Sequence, residues 1–210
     1  MSDEVVLNLA EAEALAIRAC LAAGATEATA RSLVDATLSA ALYGPATLGF
    51  PHMVDYLNSF REGRINGGAE PSCTRPYPAF FVADADRGIA QLGFDRVFDE
   101  LVAVTRNFGV AVFTQKNSYT AGELGYYVRR LAGEGIVGIA ATNANAMVVA
   151  KAGGPAVYST NPMGLRLSAG RRIATSHHRP GFQRHRLCQY RRRRSRGTRH
   201  PGRMGRRRSR

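Results

Sequence analysis

The spacing of apolar residues predicts three helices in the first part of the chain. The segment LNLAEAEALAIRACLAAGA begins with Asn8 and Glu11 at the spacing of a capping box, and Gly24 offers a stop at its end. The segment TEATARSLVDATLSAALYG repeats this design, with Thr26 as the N-cap and Gly44 past the last turn. A shorter helix is predicted over FPHMVDYLNSFREG, whose apolar residues lie at helical spacing.

Short apolar runs then alternate with amphipathic segments. The runs AFFVADA, VAVFTQK and IVGIAATNA predict strands, the second of them buried, and RINGGAEPSCTRPYP ahead of them predicts a glycine- and proline-rich loop. The segments IAQLGFDRVFDELVAVTRNFG and AGELGYYVRRLAGEG predict helices, and a solvated helix face explains Asp95, Asp99 and Glu100. Because strands and helices alternate over residues 78–144, we expect an α/β fold behind an N-terminal helical segment.

The charge of the chain is divided unevenly along its length. The whole chain has a net charge of +13, but residues 171–210 hold 16 of the 29 basic residues and no acidic residue. The other 13 basic and 16 acidic residues give residues 1–170 a net charge of −3. We therefore expect a mildly acidic domain, and the basicity that would suggest a nucleic-acid or membrane partner belongs to the tail alone.

The cysteines and the N-terminus bear on the cellular compartment. Cys20, Cys73 and Cys188 have long, unpatterned spacing, which argues against a disulfide framework and against a zinc cluster, so no metal site is predicted. The N-terminus carries acids where a secretion signal needs positive charge, and no apolar run comes near the roughly 18 residues of a membrane span. We therefore expect a cytoplasmic protein without membrane contact.

Two stretches are typical of site loops. LYGPATLGFPHMVDYL joins the second and third predicted helices, and QKNSYTAGELGYY leads from the end of a strand into a helix. Backbone amides at the start of such a helix are free to bind the negatively charged group of a ligand. The glycine spacing differs from that of a GxGxxG phosphate loop, so a plain strand-to-helix turn is the alternative interpretation.

Several short motifs also follow one another in the chain: GPATLG with Pro51 and Tyr56 after it, the glycines that follow Asp84, NSYTAGELGYY, GIVGIAATNA and STNP. With the paired N-terminal helices, their order and spacing over about residues 8–163 resemble the malate/L-lactate dehydrogenase type of NAD(P)-dependent oxidoreductase. That family is separate from the Rossmann-fold lactate and malate dehydrogenases. The resemblance implies a homodimer, NAD or NADP as cofactor, and an α/β fold that is not doubly wound. It also implies a small 2-hydroxy acid, 2-oxo acid or cyclic imino acid as substrate.

The resemblance assigns roles to individual residues. Thr47 keeps the hydroxyl of the residue that orients a proton-donating histidine, and Thr160 matches a threonine that contacts the substrate. The backbone amides of one loop are implied to meet the cofactor phosphates: Thr120, Ala121, Gly122, Glu123 and Leu124.

Two positions depart from the family pattern. Leu48 stands where the resemblance places the proton-donating histidine, and leucine cannot transfer a proton. His52 replaces an arginine that clamps the substrate carboxylate, and it would share a face with Leu48 if this stretch were helical. We therefore take Thr47 and His52 as catalytic candidates, and His52 also as a substrate ligand. The alternative is that His52 is an ordinary polar residue of a site whose chemistry is altered or lost, and Tyr119 is a further candidate donor.

Three hypotheses compete for the arginine-rich tail. A nucleic-acid-binding arm would interleave basic residues with glycine, serine or aromatic residues, but such arms usually contain lysine, which residues 171–210 lack. A disordered, solvated tail is the second hypothesis. The third is translation in a shifted reading frame.

Arithmetic on the genetic code supports the shifted frame. Met204 has the single codon ATG and Gly205 begins with G, so the shifted codon is TGG, which encodes tryptophan. The shifted codons also permit strings such as Asp-Gln-Ala-Ser-Ser and Pro-Ala-Gly-Trp, which resemble what the family carries next. Reading the shifted codons backward from the tail places the change of reading frame close to Met163. We therefore predict a partial dehydrogenase-like domain at residues 1–163 and a disordered, out-of-frame tail at residues 164–210.

The sequence thus predicts an NAD(P)-dependent dehydrogenase or reductase by ancestry. Segments beyond residue 163 would complete the cofactor site in the family, so we expect the chain to have little or no activity and its truncated sheet to expose apolar edges. The alternative function is a basic nucleic-acid-binding protein that uses residues 171–210, although we do not expect nucleic acid to be the natural partner.

Overall fold

The computed structural model of the protein describes residues 6–168, which lie within one compact unit. The arginine-rich tail, with the disorder and the shifted frame predicted for it, lies outside the described residues from residue 169 onward. The helices are α1 (Leu9–Ala22), α2 (Glu27–Tyr43), α3 (Phe50–Arg61), α4 (Ala90–Phe108) and α5 (Gly125–Gly133), with a 3₁₀ turn (Ala46–Leu48) ahead of α3. The strands are β1 (Ser72–Tyr77), β2 (Phe80–Asp84), β3 (Val112–Lys116), β4 (Gly138–Ala141), β5 (Val148–Val149), β6 (Ala156–Tyr158) and β7 (Met163–Arg166).

The N-terminal helices begin and end where the sequence predicts. At the start of α1, the Asn8 side chain accepts from the Glu11 backbone N–H at 3.0 Å, and the Glu11 carboxylate accepts from the Asn8 backbone N–H at 2.9 Å. The Thr26 hydroxyl accepts from the Thr29 backbone N–H at the start of α2, and Gly44 caps its end. Local capping chemistry therefore accounts for where these two helices begin.

The first core cluster lies between α1, α2 and α3. Its buried side chains include Cys20, Leu33, Met53, Tyr56 and Phe60. The Cys20 Sγ lies 3.8 Å from the Met53 Sδ, which joins α1 to α3 within this cluster. The apolar stripe that the sequence predicts for α3 is buried at Met53 and Tyr56, whereas Val54, at the same predicted spacing, is 61% exposed.

A three-stranded sheet of order β1-β2-β3 follows the helices, with β1 antiparallel and β3 parallel to β2. Strand β1 corrects the prediction that residues 64–78 form only a loop. All six of its residues are exposed, so it lacks the apolar alternation that reveals a strand. Its pairing with β2 is interrupted between Thr74 and Tyr77, around Pro76, as expected where a proline occupies an edge strand.

The prediction that β3 is buried is wrong for this chain. Its residues alternate between exposed and half-buried, and Val112 is 42% exposed. Among residues 6–168, β3 pairs only with β2, so the strand is a sheet edge and one of its faces is open.

The second core cluster joins α4 to β2 and to Tyr126 of α5. It contains Phe81, Phe94, Phe98, Leu101 and Tyr126. Helix α4 ends at Gly109 in the left-handed conformation, with φ of 78°, as the sequence predicts.

Asp95 corrects a second prediction, because its carboxylate does not lie on a solvated helix face. It accepts hydrogen bonds from Ser32 on α2 and from Tyr126 and Arg130 on α5. Asp99, which was predicted on the same grounds, is exposed. Sequence spacing alone does not distinguish the two carboxylates.

Strands β4 and β7 form an antiparallel pair, and β5 pairs with β6. The strand predicted over residues 136–144 is confirmed as β4. The predicted domain boundary at residue 163 coincides with the first residue of β7, so this strand continues past the boundary to Arg166. Each helix within residues 6–168 is too short or too polar to cross a bilayer.

Candidate functional site

The first site loop (residues 42–57) contains two separate helical elements, the 3₁₀ turn and the start of α3. Leu48 ends the 3₁₀ turn and His52 lies in the first turn of α3, with Gly49 in a non-helical conformation between them. The premise that Leu48 and His52 share one helix face is therefore wrong. A Cβ on Gly49 would lie 2.9 Å from the Cα of Ala41, so this glycine allows the loop to pack tightly against α2.

His52 packs against the ring of Tyr56. The two ring centroids lie 4.8 Å apart with an interplanar angle of 80°, and the histidine is half-buried. Thr47 is exposed, and no hydrogen bond joins its side chain to that of His52 within the described part of the chain. The structure therefore does not assemble the two candidate catalytic side chains into a bonded pair.

Tyr119 anchors the second site loop (residues 117–124) to α3 and the turn after it. Its hydroxyl donates to the Asp55 carboxylate at 3.1 Å, accepts from the Arg64 guanidinium at 2.5 Å and lies 2.9 Å from Ser59 Oγ. Its backbone N–H donates to the Gly88 carbonyl at 2.9 Å. These contacts hold the Tyr119 side chain against α3, so Tyr119 positions the second site loop, and its role as a further candidate donor stays a prediction.

The Ala121 carbonyl points into the protein. Gln91 Nε2 donates to it at 3.2 Å and the Tyr127 hydroxyl donates at 2.8 Å. Burial raises the pKa of Tyr127 well above its ordinary value, so the phenol keeps the proton that it donates. The next residue, Gly122, has φ of 65°, and a Cβ there would lie 2.7 Å from Gln91 Nε2. This turn therefore requires glycine.

The same turn leaves several backbone amides available ahead of α5. The N–H groups of Ala121, Glu123 and Leu124 donate to no protein acceptor among residues 6–168, whereas the Gly122 N–H donates to the Thr120 hydroxyl at 2.9 Å. These amides precede the first turn of α5, where the helix dipole is positive. Their chemistry fits an anionic ligand group such as a phosphate.

The Glu123 carboxylate does not oppose such an anion, because Arg129 neutralises it. Arg129 Nη1 donates to Glu123 Oε1 at 3.0 Å, and Arg129 Nη2 donates to Ser39 Oγ at 2.7 Å. The side chain of Arg129 is only 15% exposed and that of Glu123 only 11%. Gly44 and Gly125 make room for this pair, since a Cβ on either would collide with the Glu123 carboxylate. The carboxylate is therefore a structural partner of Arg129, and only the Glu123 amide is available to a ligand.

Thr160 lies in a turn between β6 and β7. The neighbouring Ser159 Oγ accepts from the backbone N–H groups of Ala144 at 2.8 Å and Asn161 at 3.2 Å, and Asn161 has φ of 41°. The Thr160 side chain is exposed. Its predicted contact with a substrate stays a prediction.

A cleft of about 500 Å³ brings Leu48 together with the second site loop. We call it the Leu48 cleft, and its lining includes Leu48, residues 122–125, Arg129 and β7. Thr47, His52 and Thr160 are not part of this lining. The position that the resemblance assigns to the proton donor thus faces the cleft and carries leucine, whereas His52 packs on Tyr56 elsewhere.

Sequence reasoning did not single out Gln91 and Arg129. Gln91 lies in the first turn of α4 and is 1% exposed. A glutamine among the apolar positions of an amphipathic helix could have indicated this buried polar contact. Arg129 gave no such signal, because its partners Glu123 and Ser39 are 6 and 90 positions away in the chain.

Comparison with known proteins identifies the family. Residues 7–173 match the family model for malate/L-lactate dehydrogenase. A Delta(1)-pyrroline-2-carboxylate reductase of Burkholderia multivorans is 30% identical over 161 residues, which cover 77% of this chain and 47% of the relative. A (2R)-3-sulfolactate dehydrogenase (NADP(+)) of Chromohalobacter salexigens is 31% identical over 162 residues, covering 75% and 47%.

The likeness extends to the fold. The crystal structure of delta1-piperideine-2-carboxylate reductase from Pseudomonas syringae superposes with a TM-score of 0.71 at 25% identity, over 76% of this chain and 48% of that one. The chain therefore spans about half the length of the relatives that it matches. Since the family model matches well over half of its residues, the chain belongs to the malate/L-lactate dehydrogenase family.

Proposed function

We propose that the chain derives from an NAD(P)-dependent oxidoreductase that acts on a small 2-hydroxy acid, 2-oxo acid or cyclic imino acid. The observation that carries this proposal is the Leu48 cleft, where a loop of available amides faces the position that donates the proton in the family. The matched relatives support the substrate class, because their names include two cyclic imino acids and a 2-hydroxy acid.

The second site loop is the cofactor-binding element in this proposal. The amides of Ala121, Glu123 and Leu124 would hold the cofactor phosphates; Glu123 and Leu124 line the Leu48 cleft, whereas Ala121 lies beside it. The Thr120 hydroxyl orients the Gly122 amide within the same turn. When bound, the nicotinamide supplies or accepts the hydride of the reaction. The nicotinamide cofactor of this proposal is NAD or NADP.

The site lacks an ionisable side chain at the position where the family has its proton donor. Leu48 faces the cleft without an ionisable group, and His52 lies outside the lining and packs on Tyr56. Thr47 and His52 stay the candidate catalytic residues, and His52 and Thr160 the candidate substrate ligands, but none of the three lines the Leu48 cleft. We therefore expect the 210-residue chain to bind the cofactor weakly and to turn over little or no substrate.

The binding test uses the full chain and NADH or NADPH fluorescence. Gly122→Val places side-chain atoms against Gln91 Nε2 and at a positive φ, so it should weaken binding at least about tenfold. Gly133→Ala is the matched control, since a Cβ there meets open space and should leave binding unchanged. Circular dichroism shows whether both variants keep the helices. Equal affinity of the two variants would contradict the assignment of the loop.

The activity test follows NAD(P)H oxidation with a panel of 2-oxo acids and cyclic imines. We expect rates at the level of the enzyme-free blank. Turnover well above the blank would show that another residue has replaced the proton donor and would overturn the proposed loss of chemistry.

Nucleic-acid binding by residues 171–210 is the second candidate function, and the 16 arginines of that segment favour it. The nucleotide sequence around codons 160–180 separates the two candidates, because one inserted or deleted base would restore the dehydrogenase frame. DNA binding that weakens steeply with salt would favour the second candidate. A cytoplasmic location and a homodimer belong to the first candidate and are proposals with it.

A further inference from the structure

The lining of the Leu48 cleft contains three ionisable residues among those that the structure describes. Glu123 and Arg129 are two of them, and the third is Arg166, which is exposed. The side chains of Glu123 and Arg129 are nearly buried and bonded to each other. The two less accessible charges of the cleft therefore form one ion pair without net charge.

The Arg129 guanidinium is held in place by more than Glu123. Its Nε donates to Ser39 Oγ at 3.1 Å, and its Nη2 donates to the same oxygen at 2.7 Å. The guanidinium also lies over the ring of Tyr43, 5.5 Å from the ring centroid. Ser39 and Tyr43 both belong to α2. The position of Arg129 is thus supported by contacts that do not require the Glu123 carboxylate.

The Glu123 carboxylate depends on Arg129 alone. Both of its oxygens accept from Arg129, and no other group within residues 6–168 donates to it. The backbone N–H of the same residue is available to a ligand. A glutamate carboxylate is at most a side chain's length from its own backbone nitrogen, so an anion bound at this amide would be repelled by the carboxylate if Arg129 did not neutralise it.

We infer that the Glu123–Arg129 pair determines how tightly the Leu48 cleft binds an oxyanion, and that Glu123 keeps the affinity low by holding the Arg129 guanidinium. The inference rests on the proposed function, which places the anionic groups of a cofactor and a substrate at this cleft. The oxyanion is a cofactor phosphate or a substrate carboxylate. His52, at the position where the resemblance implies a carboxylate-binding arginine, does not line the cleft, whereas Arg129 does.

A purely structural role of the pair predicts a different result. If the pair only held the second site loop against α2, loss of either partner would disturb the loop and weaken binding. A role in setting the charge of the cleft predicts opposite effects. Glu123→Gln leaves Arg129 charged and still held by Ser39 and Tyr43, whereas Arg129→Gln leaves an unpaired carboxylate at the cleft. The direction of the change therefore distinguishes the two roles.

The test measures oxyanion binding to the full 210-residue chain by isothermal titration calorimetry. Inorganic pyrophosphate represents the cofactor phosphates, and pyruvate represents a substrate carboxylate. Glu123→Gln should tighten the binding of at least one of them about tenfold, and Arg129→Gln should weaken it about tenfold. The double variant should bind within about threefold of the unchanged chain. The gain from Glu123→Gln should shrink as salt is added.

The exposed Glu27–Arg31 pair of α2 provides matched controls, because neither residue lines the cleft. Glu27→Gln and Arg31→Gln should leave the binding of both oxyanions unchanged. Circular dichroism checks that each variant keeps its helices. If Arg129→Gln does not fold, Glu123→Gln decides the test by itself, since tighter binding cannot result from a disturbed loop.

Weaker, unchanged or undetectable binding of both oxyanions by Glu123→Gln would overturn the inference and leave the pair a structural role. Titration of the unchanged chain with NADH and NADPH separates this result from failure of the proposed function. If the chain binds either cofactor but Glu123→Gln gains no affinity for an oxyanion, the inference fails and the proposed function does not. If neither cofactor binds but Glu123→Gln gains affinity, the assignment of the cofactor loop fails and the charge-setting role of the pair is supported.

Discussion

Ser32 on α2 donates a hydrogen bond from its Oγ to the Asp95 carboxylate on α4 at 2.5 Å. The other carboxylate oxygen accepts from the Tyr126 hydroxyl at 2.8 Å and from the Arg130 guanidinium, both on α5. Burial, and then the charge of Asp95, raise the pKa of Tyr126, so its phenol stays a donor. One carboxylate thus joins three helices that are far apart in the sequence.

Removal of this carboxylate should destabilise the protein measurably. Asp95→Ala leaves the three donors around it without an acceptor and should lower the free energy of unfolding by about 2 kcal/mol. Asp99→Ala, four residues further along the same helix, is the control, because Asp99 is exposed and its loss should cost no more than about 0.5 kcal/mol. Urea unfolding measures both, and equal losses would show that the Asp95 contacts contribute nothing.

The Glu123–Arg129 pair provides a second test of buried charge. Arg129→Ala leaves the Glu123 carboxylate nearly buried and unpaired, so it should cost about 3 kcal/mol of unfolding free energy. Adding Glu123→Gln to that variant should recover part of the loss, because no uncompensated charge then stays buried. The exposed Glu27–Arg31 pair is the control, and Arg31→Ala should cost less than about 1 kcal/mol. A double variant no more stable than Arg129→Ala would contradict this account.

The buried thiol of Cys20 should make stability depend on alkaline pH. Burial raises the pKa of Cys20 from 9.0 to about 11, so the unfolded chain loses this proton at a lower pH than the folded chain. The stabilising contribution is fully present below pH 9.0 and is lost as pH rises through about 11. Relative to Cys20→Ala, the protein should therefore lose about 1 kcal/mol of unfolding free energy between about pH 8 and about pH 10. A constant difference between the two proteins over that range would exclude an ionisable buried thiol as the cause.

The Leu48 cleft predicts which substitution restores proton transfer. In a chain that continues beyond residue 163 in the frame proposed by the shifted-frame hypothesis, Leu48→His should raise kcat for reduction of 2-oxo acids or cyclic imines about 100-fold or more. His52→Ala should change kcat much less, because His52 does not line the cleft. In the 210-residue chain, Leu48→His should not produce turnover. A larger loss with His52→Ala than gain with Leu48→His would identify His52 as the working acid.

Local patterns in the sequence were sufficient for most of the secondary structure. The capping box at Asn8, the N-cap at Thr26 and the glycine stop at Gly109 each involve neighbours within a few residues, and all three are confirmed. Strand β1 was not predicted, because it is an exposed edge strand that contains a proline and has no apolar alternation. The prediction of a buried β3 was wrong because burial depends on what packs against a strand.

The sequence likewise predicted one part of the candidate site and not the other. The motif around residues 117–127 located the second site loop, and the departure at Leu48 was visible without a structure. The condition that would place His52 and Leu48 on one helix face is not met, because Gly49 separates a 3₁₀ turn from α3, and the role of His52 as a donor stays a prediction. That break depends on the close packing of Gly49 against Ala41 of α2, a contact that residue spacing does not reveal.

The sequence by itself determined the family resemblance, the capped helices, the order of the later strands and helices, and the leucine at position 48, where the resemblance places a histidine. Each of these depends on residue identity or on near neighbours. Only the tertiary structure decided that Asp95 joins α4 to α2 and α5, and that Arg129 neutralises Glu123 and binds Ser39. These features join residues from distant parts of the chain, and their energies depend on burial and distance, which exist only after the chain has folded.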